Sequence, residues 1–400
     1  MIATFGIGST RLRSALGTSD GKLVTDIHAE PTRPHDLPNQ VLSRIESLAT
    51  TPLLEQPPSP SVPDALSTDR SSTDRSSTDS TSTHRRSGDP SSTDRRSRFD
   101  DPTSIDAVSI SCAGLIDATT GIVREIDTPD GSVVRDVPLG PIVADAHAVP
   151  VHLENDCTAA ALAEWTYGAG RTADCVVHVT IGTGIGAGVV DRGHVIRGAH
   201  GHAAEVGLFP IAPTDRKSTG VDGAWEAYCS GRGIASYVSD RLKDETRETA
   251  LFDRESIAGP DSPFDPDSPS DPDSPFDPDS STGSGILTAK EVFAAVAAGD
   301  AVANEYLDQI ARYNAAGFGT IVNAYNPDLI TVGGGVGLSN FETLYERMAP
   351  HIERFSLPEV PTIETTTLGD EIGLYGALAP FAGETDARQA ARIAASSTDD

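Results

Sequence analysis

The same local pattern opens both halves of this 400-residue chain: an apolar strand, a glycine turn, and a second strand that returns beside the first. At the amino end, Ile2 to Ile7 runs into Gly6-Ile7-Gly8-Ser9-Thr10, and Arg11 to Leu16 returns. A second turn, Thr18-Ser19-Asp20-Gly21, leads to a third strand expected over Lys22 to Ala29. The later copy begins with Cys175 to Thr180, turns at Gly182 to Gly186, and returns over Ala187 to Val190 before turning again at Asp191-Arg192-Gly193. Such repetition predicts a duplicated α/β fold with a cleft between two lobes. Between and after the hairpins, helical spacing places Val41, Leu42, Ile45, Leu48 and Ala49 on one face. Strands are expected over Ala107 to Ser111 and His147 to Leu153, and a helix over Cys157 to Trp165. Thr288 with Glu291 and Ser339 with Glu342 fit capping boxes. Leu329 to Val332 reads as a short buried strand running into Gly333-Gly334-Gly335.

Length alone favours two domains. Two stretches belong to neither core. About Gln56 to Pro102 repeats Ser-Ser-Thr-Asp-Arg, and about Asp253 to Gly285 repeats Ser-Pro-Phe-Asp-Pro-Asp. Neither carries enough apolar surface to offset its ordering entropy, so both read as disordered surface insertions. Loop closure grows costly only slowly with length, so such insertions are tolerated.

Lys and Arg total 30 against 59 Asp and Glu, a net charge of -29. A chain so acidic repels phosphate backbones, which excludes nucleic acid as an expected partner, and it has no polybasic membrane patch. The acidity and the scarcity of Lys also suit a halophilic protein, although an acidic mesophile has the same signature. No apolar run reaches the ~18 residues a membrane helix needs, and Met1 to Leu16 does not read as a signal peptide. Cys112, Cys157, Cys175 and Cys229 stand singly, as free thiols of a reducing cytoplasm do.

Three segments carry chemistry. Gly182-Thr183-Gly184-Ile185-Gly186 lets backbone amides approach a phosphate, with the Thr183 hydroxyl as a further donor. Gly182, Gly184 and Ala187 also satisfy the loose dinucleotide pattern, but a dehydrogenase needs a helix next, and here the chain alternates and turns as a hairpin. Gly333 to Gly335, between a strand and a helix, is a seat for the adenosine end of a nucleotide or a purely structural turn. Asp156, beside Asn155 at the end of a strand, could take a proton from an attacking hydroxyl, or could simply cap the helix that follows. A carboxylate of ordinary pKa, about 4, suffices as base when the transition state is loose and the proton leaves late.

The order of the segments separates these readings. Leu153 to Glu164 resembles the sugar-pocket segment of the ROK family of sugar kinases, repressors and related open reading frames. Ile181 to Gly188 resembles its second phosphate loop, and Gly198 to Gly207 its glycine-and-glutamate segment. Gly223 to Gly231 is similar to its second glutamate motif, and Val332 to Val336 to its adenosine turn. The resemblance covers the chain to about Phe381 apart from the two insertions, and is strongest toward haloarchaeal glucokinases of the family. It implies an actin/hexokinase-like, ribonuclease H-like α/β fold of two lobes with a nucleotide cleft between them. The implied small lobe is residues 1–165 with 373–388, and the large lobe 166–372.

Asp156 would then be the catalytic base, and Asn155, Glu205 and Glu226 ligands of the sugar hydroxyls. Thr183 with Gly182, Gly184 and Gly186 would hold ATP phosphates, Thr10 would line the first phosphate turn, and Gly333, Gly334 and Gly335 would meet the adenosine. Mg2+ would arrive with ATP. Three departures stand out. Gly6 occupies the place of a carboxylate that helps to place the metal. The positions matching the family's structural zinc ligands are Leu208, Lys217, Thr219 and Ala224, so no structural zinc is expected. His200, His202 and Asp215 lie nearby but form no tetrahedral set. Leu208 also replaces a histidine that touches the sugar. The expected function is phosphorylation of a hexose, glucose first among candidates, with a homodimer left open. Two other classes compete: a sugar- or nucleotide-binding protein with little turnover, and the family's DNA-binding repressor. Repressors place a helix-turn-helix domain before the first phosphate strand, which here begins at Ile2.

Overall fold

Strand residues that are apolar on both faces can only be buried in the middle of a sheet covered on both sides, and both hairpins are of this kind. The structure, a computed structural model, describes residues 1–55, 104–128, 131–252 and 287–383. The two expected insertions lie outside the described residues.

In the first sheet, β1 (Ile2–Ile7) pairs antiparallel with β2 (Arg11–Gly17), and β2 with β3 (His28–Pro31). On its other side β1 pairs parallel with β4 (Ala107–Cys112). A small antiparallel sheet of β5 (Leu115–Asp117), β6 (Ile122–Asp127) and β7 (Val133–Val137) follows. β8 (Val151–Asn155) then completes the first sheet beside β4, in the order β3-β2-β1-β4-β8.

The second sheet repeats the plan. β9 (Cys175–Ile181) and β10 (Ile185–Asp191) form its hairpin, and β11 (His194–Val195) extends β10. The two-strand ribbon of β12 (Lys217–Ser218) and β13 (Val221–Asp222) lies outside it. β14 (Leu329–Gly333) and β15 (Thr362–Thr365) add in parallel, giving β11-β10-β9-β14-β15. Each sheet thus has two antiparallel pairings followed by two parallel ones, and each has its own hydrophobic core. The α/β, two-lobed organisation expected from the duplicated hairpins is present.

Helices α1 (Leu37–Leu48) and α2 (Leu139–His147) pack together beside the first sheet. α3 (Asp156–Thr166) touches strands of both sheets. The second lobe carries α4 (Glu226–Cys229), α5 (Gly231–Leu242), α6 (Ala289–Ala297), α7 (Ala301–Tyr325) and α8 (Gly335–Ile352). α9 (Ile372–Leu378) returns to cover β1 and α3.

Three local expectations are corrected. The third strand starts at His28 rather than Lys22, because the Thr25 hydroxyl accepts the Leu16 amide at 2.9 Å, where a ladder carbonyl would otherwise sit. His147 ends a helix instead of opening a strand: Ala148 turns left-handed at φ 53°, and pairing resumes at Val151. The capping box at Thr288 and Glu291 is formed, whereas Ser339 lies inside α8, which begins at Gly335 and kinks at Asn340.

Candidate active site

Asn155 leaves β8 in extended conformation and caps α3. Its Oδ1 accepts the Cys157 and Thr158 amides at 3.0 and 3.1 Å, and its Nδ2 donates to the Gly114 carbonyl at 3.1 Å. The cap is therefore Asn155, and Asp156 is the first residue of the helix. Capping spares Asp156 from that task and fixes its backbone. Its Oδ1 accepts the next amide, Cys157, at 2.9 Å. Burial pushes the Asp156 carboxyl above the usual carboxylate range, while hydrogen bonds from Cys157 and Asn155 partly hold it down. Desolvation disfavours the charged form, so a carboxylate placed this way is a stronger base than an exposed one.

Glycines bring this helix start against the second hairpin. A Cβ at Gly186 would lie 2.5 Å from Cys157 Sγ, and one at Gly188 would lie 2.2 Å from the Cys157 carbonyl oxygen. No side chain larger than hydrogen fits between β10 and α3 there. The Cys157 thiol is itself driven up, by burial and then by the Asp156 charge, with the Glu205 charge adding a little.

Glu205 keeps one side open to solvent, yet partial burial pushes its carboxyl up. His202 offsets some of that, and the Glu226 and Asp156 charges add to it. Glu205 thus lies within electrostatic reach of Asp156 and Glu226, which come from two other segments.

Glu226 sits differently from a side chain simply held out to a ligand. Its Oε2 accepts the Ile185 amide at 3.0 Å and its Oε1 accepts the Ser218 hydroxyl. It ties the glycine turn 182–184 to the β12–β13 ribbon, with lone pairs still available for a hydroxyl. Trp225 anchors α4 from below. Its ring is fully buried, its Nε1 donates to Asn314 Oδ1 at 2.9 Å, and it packs edge-on against Phe318. A Cβ at Gly317 would lie 2.3 Å from that indole. The ribbon is held by Arg216, which pairs with Asp240 and lies over the rings of Tyr228 and Tyr237 at 5.7 and 5.5 Å. Leu208, Lys217, Thr219 and Ala224 all fall in or beside this packed region. An open cavity of about 520 Å³ lies behind α4, lined by Tyr228, Tyr237 and Arg216, and none of the candidate residues borders it.

The candidate nucleotide end is built from backbone. Ile181 and Ile185 pair across Gly182-Thr183-Gly184, and a Cβ at Gly182 would meet nothing within 4 Å. Gly334 has φ 81°, and a Cβ there would lie 2.5 Å from the Ile181 carbonyl, so the position requires glycine for both reasons. Gly333 is closed by His178, whereas Gly335 faces open space. The Gly182 amide donates to the Gly184 carbonyl at 3.0 Å, which leaves the Thr183, Gly184 and Gly335 amides to meet an approaching phosphate or ribose.

In the first hairpin, the Gly8 amide donates to the Arg11 carbonyl at 2.9 Å, and Thr32 closes the turn from outside. The Thr32 amide donates to the Thr10 carbonyl at 2.9 Å and its hydroxyl to the Gly8 carbonyl at 2.8 Å. Gly6 faces Gly373 at the start of α9, and a Cβ there would meet nothing nearer than 3.7 Å.

Sequence reasoning did not single out Glu154, Arg197, Ser218 or Arg232. Glu154 is buried, accepts the Asn155 amide at 3.1 Å and pairs with Arg197, which leads into the Glu205 segment. A charge at an inward strand position was the available signal for Glu154; its partner, 43 residues away, left none.

The family model for the ROK family matches residues 97–383. The glucokinase of Halalkalibacterium halodurans is 29% identical over 274 residues, covering 67% of this chain and 74% of that protein. Among solved structures, the ROK hexokinase from Thermus thermophilus superposes with a TM-score of 0.63 at 22% identity, covering 94% of this chain and 97% of the other. A ROK family transcriptional regulator, described as a homologue of the Escherichia coli MLC protein, superposes at 0.66 and 20% identity, covering 98% of this chain and 80% of that one. These likenesses give the fold its name, actin/hexokinase-like. The chain belongs to the ROK family.

Proposed function

We propose that this protein is a sugar kinase that moves the γ-phosphoryl group of ATP to a hexose hydroxyl, with glucose the expected acceptor and glucose 6-phosphate the product. The observation that carries the reading is Asp156: a carboxyl raised by burial, freed from capping by Asn155, and laid by Gly186 and Gly188 against the glycine hairpin. The name glucokinase, borne by a relative matched over two thirds of the chain, supports the same assignment.

In this reading the hexose lies between α3 and the Glu205 segment. Asn155 meets a sugar oxygen, and Glu205 and Glu226 accept from sugar hydroxyls. Asp156 accepts the proton of the attacking hydroxyl and holds it in line with the phosphate. The Thr183 and Gly184 amides and the Thr183 hydroxyl bind the phosphates at the turn that Gly182 opens and Gly186 follows, Thr10 lines the facing turn, and Gly333 to Gly335 underlie the adenosine. Mg2+, when bound with ATP, supplies neutralisation of the charge that develops on the transferred group. We place the small lobe at residues 1–165 with 373–388 and the large lobe at 166–372, and expect a cytoplasmic, halophilic protein. Among the described residues no helix is long and apolar enough to cross a membrane.

The test is ADP release by the purified protein in molar KCl with ATP, Mg2+ and a panel of hexoses. Glucose is expected to give turnover well above the Asp156→Asn variant; no sugar doing so would sink the kinase reading. One observation favours a second reading, a sugar-binding protein without turnover: Gly6 leaves the first turn without a carboxylate. Glucose raising the melting temperature with no ADP formed would select it.

A further inference from the structure

We propose that Arg232 is a phosphate-binding residue of the nucleotide site, reaching the ATP phosphates from the side of the hairpin opposite Asp156. The inference rests on the kinase reading and adds a cation to it.

Arg232 is the second residue of α5 and is exposed. Its backbone amide and its side-chain Nε both point at the Thr183 carbonyl, at 3.5 and 3.3 Å. The preceding amide, Gly231, donates to the Gly182 carbonyl at 2.7 Å. The start of α5 is therefore fastened along the outer edge of the glycine turn, with the guanidinium held beside Thr183 by its own Nε. Fixing Nε leaves the two Nη groups directed away from the tether, and among the described residues they meet no carboxylate.

Two energetic facts bear on this arginine. The chain carries -29 net charge, and most described arginines here are paired: Arg124 with Asp117 and Asp136, Arg216 with Asp240, Arg247 with Glu245 and Glu305, Arg347 with Asp308. Arg232, like Arg11, Arg171, Arg312 and Arg354, has no ion pair among the described residues. Its place is also unfavourable, since the first turn of a helix carries partial positive charge and disfavours a second cation. An anion resting on the glycine turn reverses both penalties. It accepts charge-assisted hydrogen bonds from the fork of Nη donors, and it offsets the helix end.

The geometry nearby admits such an anion. A Cβ at Gly182 would meet nothing within 4 Å, and a Cβ at Gly231 would meet the Gly182 carbonyl at 3.1 Å and Val336, next to the adenosine turn, at 3.3 Å. Gly182-Thr183, Gly231-Arg232 and Gly335-Val336 thus converge from three elements, and Arg232 supplies the only charge among these six residues.

The test compares ADP and adenosine binding by calorimetry in molar KCl, for the wild type, Arg232→Gln and Arg232→Lys. ADP affinity is expected to fall about tenfold or more in Arg232→Gln and less in Arg232→Lys, with adenosine affinity unchanged. In steady state, the KM for ATP should rise by a like factor while the KM for glucose holds. ADP bound within twofold of wild type by Arg232→Gln, or adenosine weakened as much as ADP, would overturn the assignment and leave Arg232 a brace for Thr183. Wild type binding neither ligand would overturn the kinase reading itself. Melting curves identify a variant that fails to fold, and Arg232→Lys, which keeps the charge but not the fork, then decides on the ADP-to-adenosine ratio alone.

Discussion

The two hairpins share a strand order and differ in what holds their turns. The second is gripped by side chains and amides of distant segments: Glu226 on Ile185, Gly231 on Gly182, Arg232 on Thr183. The first is closed from nearby in sequence, by Thr32 on Gly8 and Thr10. Duplication of the backbone has not duplicated its polar dressing. In the second lobe one carboxylate joins the phosphate turn to the ribbon of the sugar segment, so the two ligand ends share a part. In the first lobe the link to the rest of the site runs through backbone, the Ala113 amide on the Ile7 carbonyl and then Asn155 on Gly114, and Gly6 leaves the floor of the turn without charge.

Four substitutions probe that contrast, from the largest effect down. Asp156→Asn removes the proposed base that α3 sets against the second hairpin, and should lower kcat by about 10²- to 10⁴-fold. The same change should raise the melting temperature at neutral pH. The folded-state carboxyl is raised, so the unfolded chain ionises first. Ionisation then works against folding, and stability falls as pH climbs from about 4 through the folded value. Activity should correspondingly show an acid limb above the ordinary Asp range. A melting temperature that drops instead would remove the burial argument.

Glu226→Gln comes next. Gln can accept from the Ile185 amide or from Ser218 with its one oxygen, but not offer the same two acceptors, and an orphaned buried donor costs about 1–3 kcal/mol. Because the residue spans both ends of the site, KM should rise for sugar and nucleotide together; a rise in one alone would refute the shared part. Thr32→Val tests the first hairpin, deleting one hydrogen bond for about 0.5–1.5 kcal/mol, read as a lower denaturation midpoint. Here the KM for sugar should hold. Smallest in stability is Gly6→Asp, whose Cβ fits without contact below 3.7 Å; it should shift the melting temperature little and raise kcat. Unchanged kcat would show that the missing carboxylate is not what limits turnover.

The contrast also marks what the sequence could show. Local features were legible: β1, β9, β10 and α3 lie where alternation and helical spacing put them, to within a residue or two. Asn155-Asp156 was found, but its division of labour was not, since cap and base differ by one position and only the backbone angles of Asn155 decide. β5 to β7 were missed because Val133 to Val137 carries Arg135 and Asp136 on an exposed ribbon, with Asp136 at φ 53°, which hides the period-two pattern. Nothing local links Ser218 to Glu226 or Arg232 to Thr183; such pairs exist only once two elements meet.

The return of α9 to the first sheet has a consequence for how the protein is made. The Thr4 hydroxyl donates to the Leu374 carbonyl at 2.9 Å, 370 residues along the chain, and α9 covers Ile2, Ala15 and Leu23. At ~5–20 residues per second on the ribosome, β1 waits on the order of 20 to 75 s for its lid. Through that interval the nascent amino-terminal sheet bears an uncovered apolar face, while every element of the second sheet can emerge and pair. The newborn chain is therefore expected to mature out of order, α9 finishing β1, and a ribosome-bound chain stalled before Ile372 should be bound by a holdase chaperone that releases the chain once α9 is present.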